Sequence, residues 1–337
     1  MTRHATITGT GIYVPERVLT NPELSEMLGE DIDDFVANTL GIRERRVAAP
    51  DQSTVDLAEP AALDALEAAG LGPEDVDLLI VCTDTPEHIS PSTASVLHGR
   101  LGLTGAGAFD INAACAGFVT GLDVAARYVR GGPPYDRVLL VSVYAMTKFV
   151  DYSDRTTATI FADGAGAVVV QASDQPGVLA SELFADGRFC DRMCIFAGGT
   201  AEPITPEVLE EGYRNKLRFV QKYPASVNEE GWPRIARSTL RRAGYGPEDV
   251  DLWFWTQVNR STIWTVMDHL DQPREKAWTI MDKWGYTGSA CLPMALHDAV
   301  ENGVVEQGDL LYFTGSGAGL SMGAVVLRWT GNPEAGR

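Results

Sequence analysis

The sequence predicts an α/β protein of two similar halves, with sheets sandwiched between helices. Three observations carry the prediction. Residues 69–78 (AGLGPEDVDL) recur at 243–252 (AGYGPEDVDL), with nine of ten positions identical at an offset of 174. Helix-like segments alternate with short, continuous apolar runs, the pattern of strands buried on both faces. Each half also closes on a glycine-rich run that leads into a strand, DGAGAVVV at 163–170 and GSGAGLSMGAVVL at 315–327.

The elements follow in order. The amino terminus has no apolar signal core and reads directly into a strand. AALDALEAAG at 61–70 is a helix stopped by glycine, and LLIVCT at 78–83 is a buried strand after the GPEDVD turn. The second copy repeats this order, with RIARSTLRRAG at 234–244 and LWFWTQ at 252–257. GAFDINAACAGF at 107–118 reads as a strand, a turn and small residues opening a helix. The same offset carries Cys115 onto Ser289, within WGYTGSACLPMALHDAV, which again opens a helix from a glycine-rich turn. The halves divide as 1–172 and 173–337. The stretch 186–235 has no counterpart in the repeat and is expected to be a lid, a pocket wall or a subunit contact.

Composition narrows the function. The 337 residues are 45% hydrophobic and 22% charged, ordinary for a folded protein. A net charge of −19 argues against nucleic acid and against an anionic membrane surface as partners. No apolar run reaches the ~18 residues a membrane helix needs. Five cysteines without framework spacing read as reduced thiols in a cytoplasm. Cys190 and Cys194 share i, i+4 spacing, but no second pair accompanies them and no metal site is expected. The glycine-rich runs lack the context of a nucleotide loop.

Cys115 lies after a strand, among small residues, at the start of a helix. It is either a small buried core thiol or a nucleophile whose thiolate the helix amides favour. The wider sequence bears on that choice. DINAACAGF, DRTTATIFADGAGAVVV, GSGAGLSMGAVVLRW, the opening ITGTGIYVPERVLTNPEL and GIRERRVA together resemble the β-ketoacyl-acyl-carrier-protein synthase III group of the thiolase fold. The resemblance runs from about residue 5 to residue 330. It implies a layered αβαβα arrangement of two duplicated halves, and a homodimer. It implies that Cys115 accepts an acyl group from a phosphopantetheine-borne thioester, with no other cofactor. It implies an oxyanion hole from the amides of Cys115 and of the Gly317-Ala318-Gly319 run.

The departures from the family are equally specific. Where the family has His-Gln-Ala-Asn, this chain has TQVN at 256–259, placing Thr256 at the histidine. Where the family has Gly-Asn-Thr-Ser-Ala-Ala, it has GYTGSA at 285–290, placing Tyr286 at the asparagine. That pair stabilises the enolate of decarboxylative condensation, and neither a threonine nor a tyrosine is a useful base near neutral pH. Relatives that transfer acyl groups to oxygen carry a histidine at the position of Tyr286 and an acid at that of Cys291, and both are absent here. Among the histidines, His297 is expected on the edge of a helix face and His88, with Glu87, in a segment that could reach a partner's site. The tryptophan and arginine that grip coenzyme A in the family are Phe35 and Thr39 here, which favours a carrier-protein donor. Asn259 is kept where the family holds the pantetheine arm. Arg155 is kept at the donor's way in, where a surface salt bridge is the equal alternative. Trp253, Trp255, Trp264, Trp278 and Trp284 read as aromatic core, or as the wall of an aromatic substrate's pocket. The expectation is an acyltransferase that loads Cys115 from a carrier-protein or coenzyme A thioester and delivers to a small-molecule acceptor in specialised, polyketide or fatty-acid-like biosynthesis. The alternatives are a ketosynthase with a Cys/Thr/Tyr site, or a non-catalytic subunit of a heteromeric ketosynthase.

Overall fold

A computed structural model describes residues 2–331. Five strands form the first sheet: β1 (His4–Tyr13), β2 (Leu78–Cys82), β3 (Gly107–Ile111), β4 (Arg137–Ala145) and β5 (Asp163–Ser173). Their order is β1-β5-β4-β2-β3. β5 is antiparallel to β1 and β4, whereas β2 is parallel to β4 and β3. The second sheet holds β6 (Val178–Ala185), β7 (Leu252–Trp255), β8 (Leu310–Gly317) and β9 (Ser321–Arg328). Read from its β6 edge, it runs β6-β9-β8-β7, with the same sequence of directions as β1-β5-β4-β2. The counterpart of β3 is reduced to a parallel bridge between Trp253 and Ala277.

The recurring decapeptide has a physical task in each half. Gly70 and Gly244 end their helices in the left-handed conformation, at φ of 71° and 86°. A single tight turn follows, closed by Asp75 accepting from the Gly72 amide at 2.9 Å and by Asp249 accepting from the Gly246 amide at 2.8 Å. The second aspartate then pins neighbouring strand starts together. Asp77 accepts from the Asp136 and Arg137 amides, each at 2.8 Å, and Asp251 accepts from Leu310 at 2.8 Å. The motif therefore sets the register of β2 on β4 and of β7 on β8.

Helices α1 (Thr54–Ala69) and α2 (Thr93–Leu101) cover the outer face of the first sheet. α3 (Gly117–Gly131) and α6 (Cys291–Glu301) lie between the two sheets, and α4 (Gly231–Ala243) covers the second sheet beside α5 (Arg260–His269). This is the five-layer order expected from the sequence. Strands buried on both faces explain the unbroken apolar runs: Leu78 and Ile80 face the central layer, while Leu79 and Val81 face α1 and α2. Gly9 in β1 lets α1 lie close, since a Cβ there would stand 2.3 Å from the Ala65 carbonyl oxygen. Trp232, Trp253 and Trp255 stack in the second half at 5.3–5.4 Å between rings and are fully buried, so they form core. Among the described residues, no helix is long and apolar enough to cross a membrane.

Candidate active site

Cys115 sits where the two halves meet. β3 ends at Ile111, and Asn112 accepts from the Ala114 amide at 3.1 Å to fold the turn back. Ala114 adopts φ of +46°, a strained value for a residue with a side chain, and Ala114–Ala116 makes one tight turn before α3. The glycines of β8 allow that strand to touch the turn. A Cβ on Gly317 would lie 2.5 Å from the Cys115 amide nitrogen, and one on Gly315 would lie 2.9 Å from the Ala116 Cα. The Gly317-Ala318 backbone is thereby carried alongside the thiol. From the second half, the matching turn Gly288–Ala290 packs on the first, where a Cβ on Gly117 would be 3.2 Å from that of Ser289.

The Cys115 side chain is buried and lines a small, mainly apolar cavity of about 90 Å³ with Phe161, Phe219, Val258, Tyr286 and Leu320. Gly317 and Ala318 form part of its wall. Tyr286 lines the same cavity as the Cys115 thiol, and its hydroxyl acts on the thiol by lowering its proton affinity. Tyr286 is held by its amide, which donates to the Ile160 carbonyl at 3.1 Å, and by its carbonyl, which accepts from Ala162 at 2.9 Å. Behind it, Tyr144 is wholly buried with no hydrogen-bond partner for its hydroxyl among the described residues. Gly288 makes room for that ring, since a Cβ there would stand 2.3 Å from it.

The electrostatics correct one expectation. The helix opening was expected to favour the Cys115 thiolate. Instead burial, and next the nearby charge of Asp84, push its thiol well above the ordinary range, with the Tyr286 hydrogen bond acting in the other direction. Desolvation of the charged form outweighs one short turn of amides. Burial likewise raises Tyr286 and Tyr144 well above the ordinary phenol value, and Cys291 up to about 12.

The other residues singled out by sequence fall in different places. The Thr256 hydroxyl is committed to β8: it accepts from the Ser316 amide at 2.9 Å and donates to the Thr314 carbonyl at 3.4 Å. It does not line the cavity beside Cys115, so Tyr286 and Thr256 do not converge on the thiol as their sequence positions suggested. Asn259 caps α5 by accepting from the Ser261 amide at 2.9 Å. Gly319 follows Ala318 at φ of +129°. Arg155 makes an exposed ion pair with Glu30 at 3.1 Å, and Phe35 is exposed nearby in sequence. His297 bonds Thr10 on β1 at 3.0 Å, away from the thiol. Glu87 accepts from the Val55 amide at 2.9 Å at the start of α1, and His88 is exposed. The Cys194 thiol donates to the Cys190 carbonyl at 3.3 Å. Among the described residues, no three His, Cys, Asp or Glu side chains converge as a metal site would need.

Several lining residues escaped sequence reasoning. Asn228, in the stretch without a repeat counterpart, lines the Cys115 cavity and accepts from the Ser316 hydroxyl at 3.2 Å. Met193, Phe219, Tyr223 and Val227 from the same stretch line it too, so 186–235 contributes a pocket wall. Asp84, beside the buried strand β2, lines a neighbouring cavity with Ala113 and Ala114 of the Cys115 turn. An aspartate directly after an apolar strand was the available signal.

Comparison with known proteins agrees with this fold. The family model described as 3-oxoacyl-[acyl-carrier-protein] synthase III matches residues 109–187, and its C-terminal counterpart matches 240–329. The chain is 40% identical to a β-ketoacyl-[acyl-carrier-protein] synthase III of Roseiflexus sp. (strain RS-1), over 98% of this chain and 100% of that one. The crystal structure of 3-oxoacyl-[acyl-carrier-protein] synthase III from Aquifex aeolicus VF5 superposes with a TM-score of 0.87 at 35% identity, covering 96% and 100% of the two chains. The priming β-ketosynthase of the R1128 polyketide biosynthetic pathway does so with a TM-score of 0.89 at 30% identity, covering 98% and 97%. A thiol buried where two halves of a duplicated α/β fold meet, on a chain of this similarity, belongs to the β-ketoacyl-acyl-carrier-protein synthase III family.

Proposed function

We propose that the protein is an acyltransferase that loads an acyl group on Cys115 and passes it to a small acceptor. The observation that carries this reading is the asymmetry around the thiol. Loading would use Cys115 in its cavity, the Gly317-Ala318 backbone beside it and the Tyr286 hydroxyl in the same cavity. Against the family's enolate chemistry, Thr256 is spent on β8 and no histidine among the described residues lines the cavity.

In the first step the Cys115 sulfur attacks the carbonyl carbon of a carrier-protein or coenzyme A thioester. The carbonyl oxygen becomes an oxyanion held by the amides of Cys115 and Ala318, and two such donors are worth roughly 3–4 kcal/mol. The donor's thiol leaves with the proton that Cys115 loses. In the second step the acceptor's oxygen or nitrogen attacks, the carbon–sulfur bond breaks, and the acceptor's proton returns to Cys115. Phe35 and Thr39 in place of a coenzyme A grip favour a carrier-protein donor. The setting is cytoplasmic, with the protein as a homodimer. Specialised polyketide or fatty-acid-like biosynthesis is the pathway class.

Condensation is the second reading, favoured by the named activity of the Roseiflexus relative and by Tyr286 and Asn228 as two hydrogen-bonding groups in one cavity. Intact-protein mass after incubation with acyl donors, run beside Cys115→Ala, tests loading. An adduct on the parent chain alone supports it, and no adduct from any donor refutes it. Carbon dioxide release from a malonyl thioester would replace transfer by condensation.

A further inference from the structure

The cavity on the Asp84 side of the Cys115 turn is larger, about 520 Å³, and differs in character from the one holding the thiol. It shares Met193 and Ala318 with that cavity, so the two adjoin beside the reacting centre. Asp84 is the acid in its wall, and no lysine, arginine or histidine lines it. The Asp84 Oδ1 is shielded from solvent and has no hydrogen-bond partner, and no cation pairs with the carboxylate among the described residues. Carboxylates of that kind are ordinarily paired. Asp163, a fully buried aspartate, shows the contrast, since it accepts from the amides of Ala48 and Thr147 at 2.8 and 2.9 Å. Asp84 as a residue is only partly buried and lines the cavity, so its carboxylate, without a protein cation and next to an acyl-accepting thiol, has the chemistry of half an ion pair whose other half arrives with a substrate.

Resting on the acyl-transfer reading above, we propose that Asp84 marks a subsite for a substrate amino group bound as an ammonium. The ammonium donates to the carboxylate from the cavity side, since Oδ1 is shielded, and a substrate carboxylate in the same place would meet no cation among the described lining residues. Two sources share this chemistry: an acyl group with a terminal amine, or an amine-bearing acceptor.

The test uses matched ligands that differ only at one end. The donor arm offers N-acetylcysteamine thioesters of pentanoate, of pentanoate with a terminal amine, and of glutarate, and reads the rate of acyl–Cys115 formation by mass. The acceptor arm offers butylamine, putrescine and γ-aminobutyrate to the acylated protein and reads loss of the adduct. Both are run on the parent chain and on Asp84→Asn. The ammonium-ended member is expected to lead its methyl-ended partner by roughly tenfold or more in one arm, as a partly shielded charge pair would, and Asp84→Asn is expected to erase that lead. The arm that responds names the source. The same ranking in the parent and in Asp84→Asn in both arms overturns the subsite, as does a methyl-ended preference in both. Calorimetric binding of both series to Cys115→Ala, with and without Asp84→Asn, separates the two readings. If no donor acylates Cys115, the transfer reading fails, while a charge preference that depends on Asp84 in the calorimeter upholds the subsite and its lack there overturns it.

Discussion

Replacing Tyr286 by phenylalanine removes the hydroxyl that lowers the proton affinity of the Cys115 thiol, and little else. The ring keeps its place against Phe161, 5.7 Å away between centroids, and the backbone bonds to Ile160 and Ala162 are untouched. Folding should therefore change by less than about 1 kcal/mol, because a thiol is a weak partner to leave behind. Reactivity should change much more. A hydrogen bond to a charged group contributes about 1.5–3 kcal/mol, and the thiolate gains that only when the hydroxyl is present. The thiol already sits well above its ordinary range because of burial and the neighbouring Asp84. Without Tyr286 it rises further, so at a fixed pH the thiolate fraction falls by about ten- to hundredfold. The assay is the rate of Cys115 alkylation by iodoacetamide against pH, read by peptide mass because Cys190 is exposed, with acyl loading measured in parallel. The expected outcome is a profile displaced to higher pH by about one to two units and a matching loss of loading. A rate and midpoint equal to those of the parent chain would refute Tyr286 as the thiol's donor. A loss of cooperative unfolding alongside the slower rate would mean that the residue acts through packing.

Thr256→Val leaves the buried Ser316 amide without its acceptor, so chemical denaturation should show a loss of about 1–3 kcal/mol, while loading of Cys115 stays near the parent rate; a large loading defect at full stability would return Thr256 to the chemistry. Asp84→Asn should stabilise the protein at neutral pH. Burial raises the Asp84 carboxyl to about 6, so the folded chain holds a proton that the unfolded chain has lost, and this group makes stability fall as pH rises from about 4 to 6. The variant escapes that cost, for a gain of roughly 1–3 kcal/mol at pH ~7 that vanishes below pH ~4. Urea denaturation at the two pH values checks it, and equal stabilities at neutral pH would contradict it.

The decapeptide at 69–78 and 243–252 already implied two related halves, because its glycine stop, proline turn and paired aspartates act on their own backbone and on the adjoining strand start. The apolar runs such as LLIVC implied strands covered on both sides. Cys115 on its turn, and glycines where β8 must touch that turn, were also legible, since backbone conformation and close approach leave their mark on residue type. The site's chemistry was legible only in outline. TQVN and GYTGSA showed that the usual partners had been exchanged, but not that Thr256 would spend its hydroxyl on Ser316 while Tyr286 shared the cavity of the thiol. The helix opening suggested a lowered thiol value, and burial with Asp84 reversed it. Asn228 belongs to a segment with no repeat to align it, and Asp84 comes beside the Cys115 turn only through the fold. Turns and strand registers are set by neighbours in the chain, so the sequence by itself determines them. Proton affinity and hydrogen-bond partnership depend on solvent exclusion and on charges brought together from distant segments, so only the tertiary structure decides them.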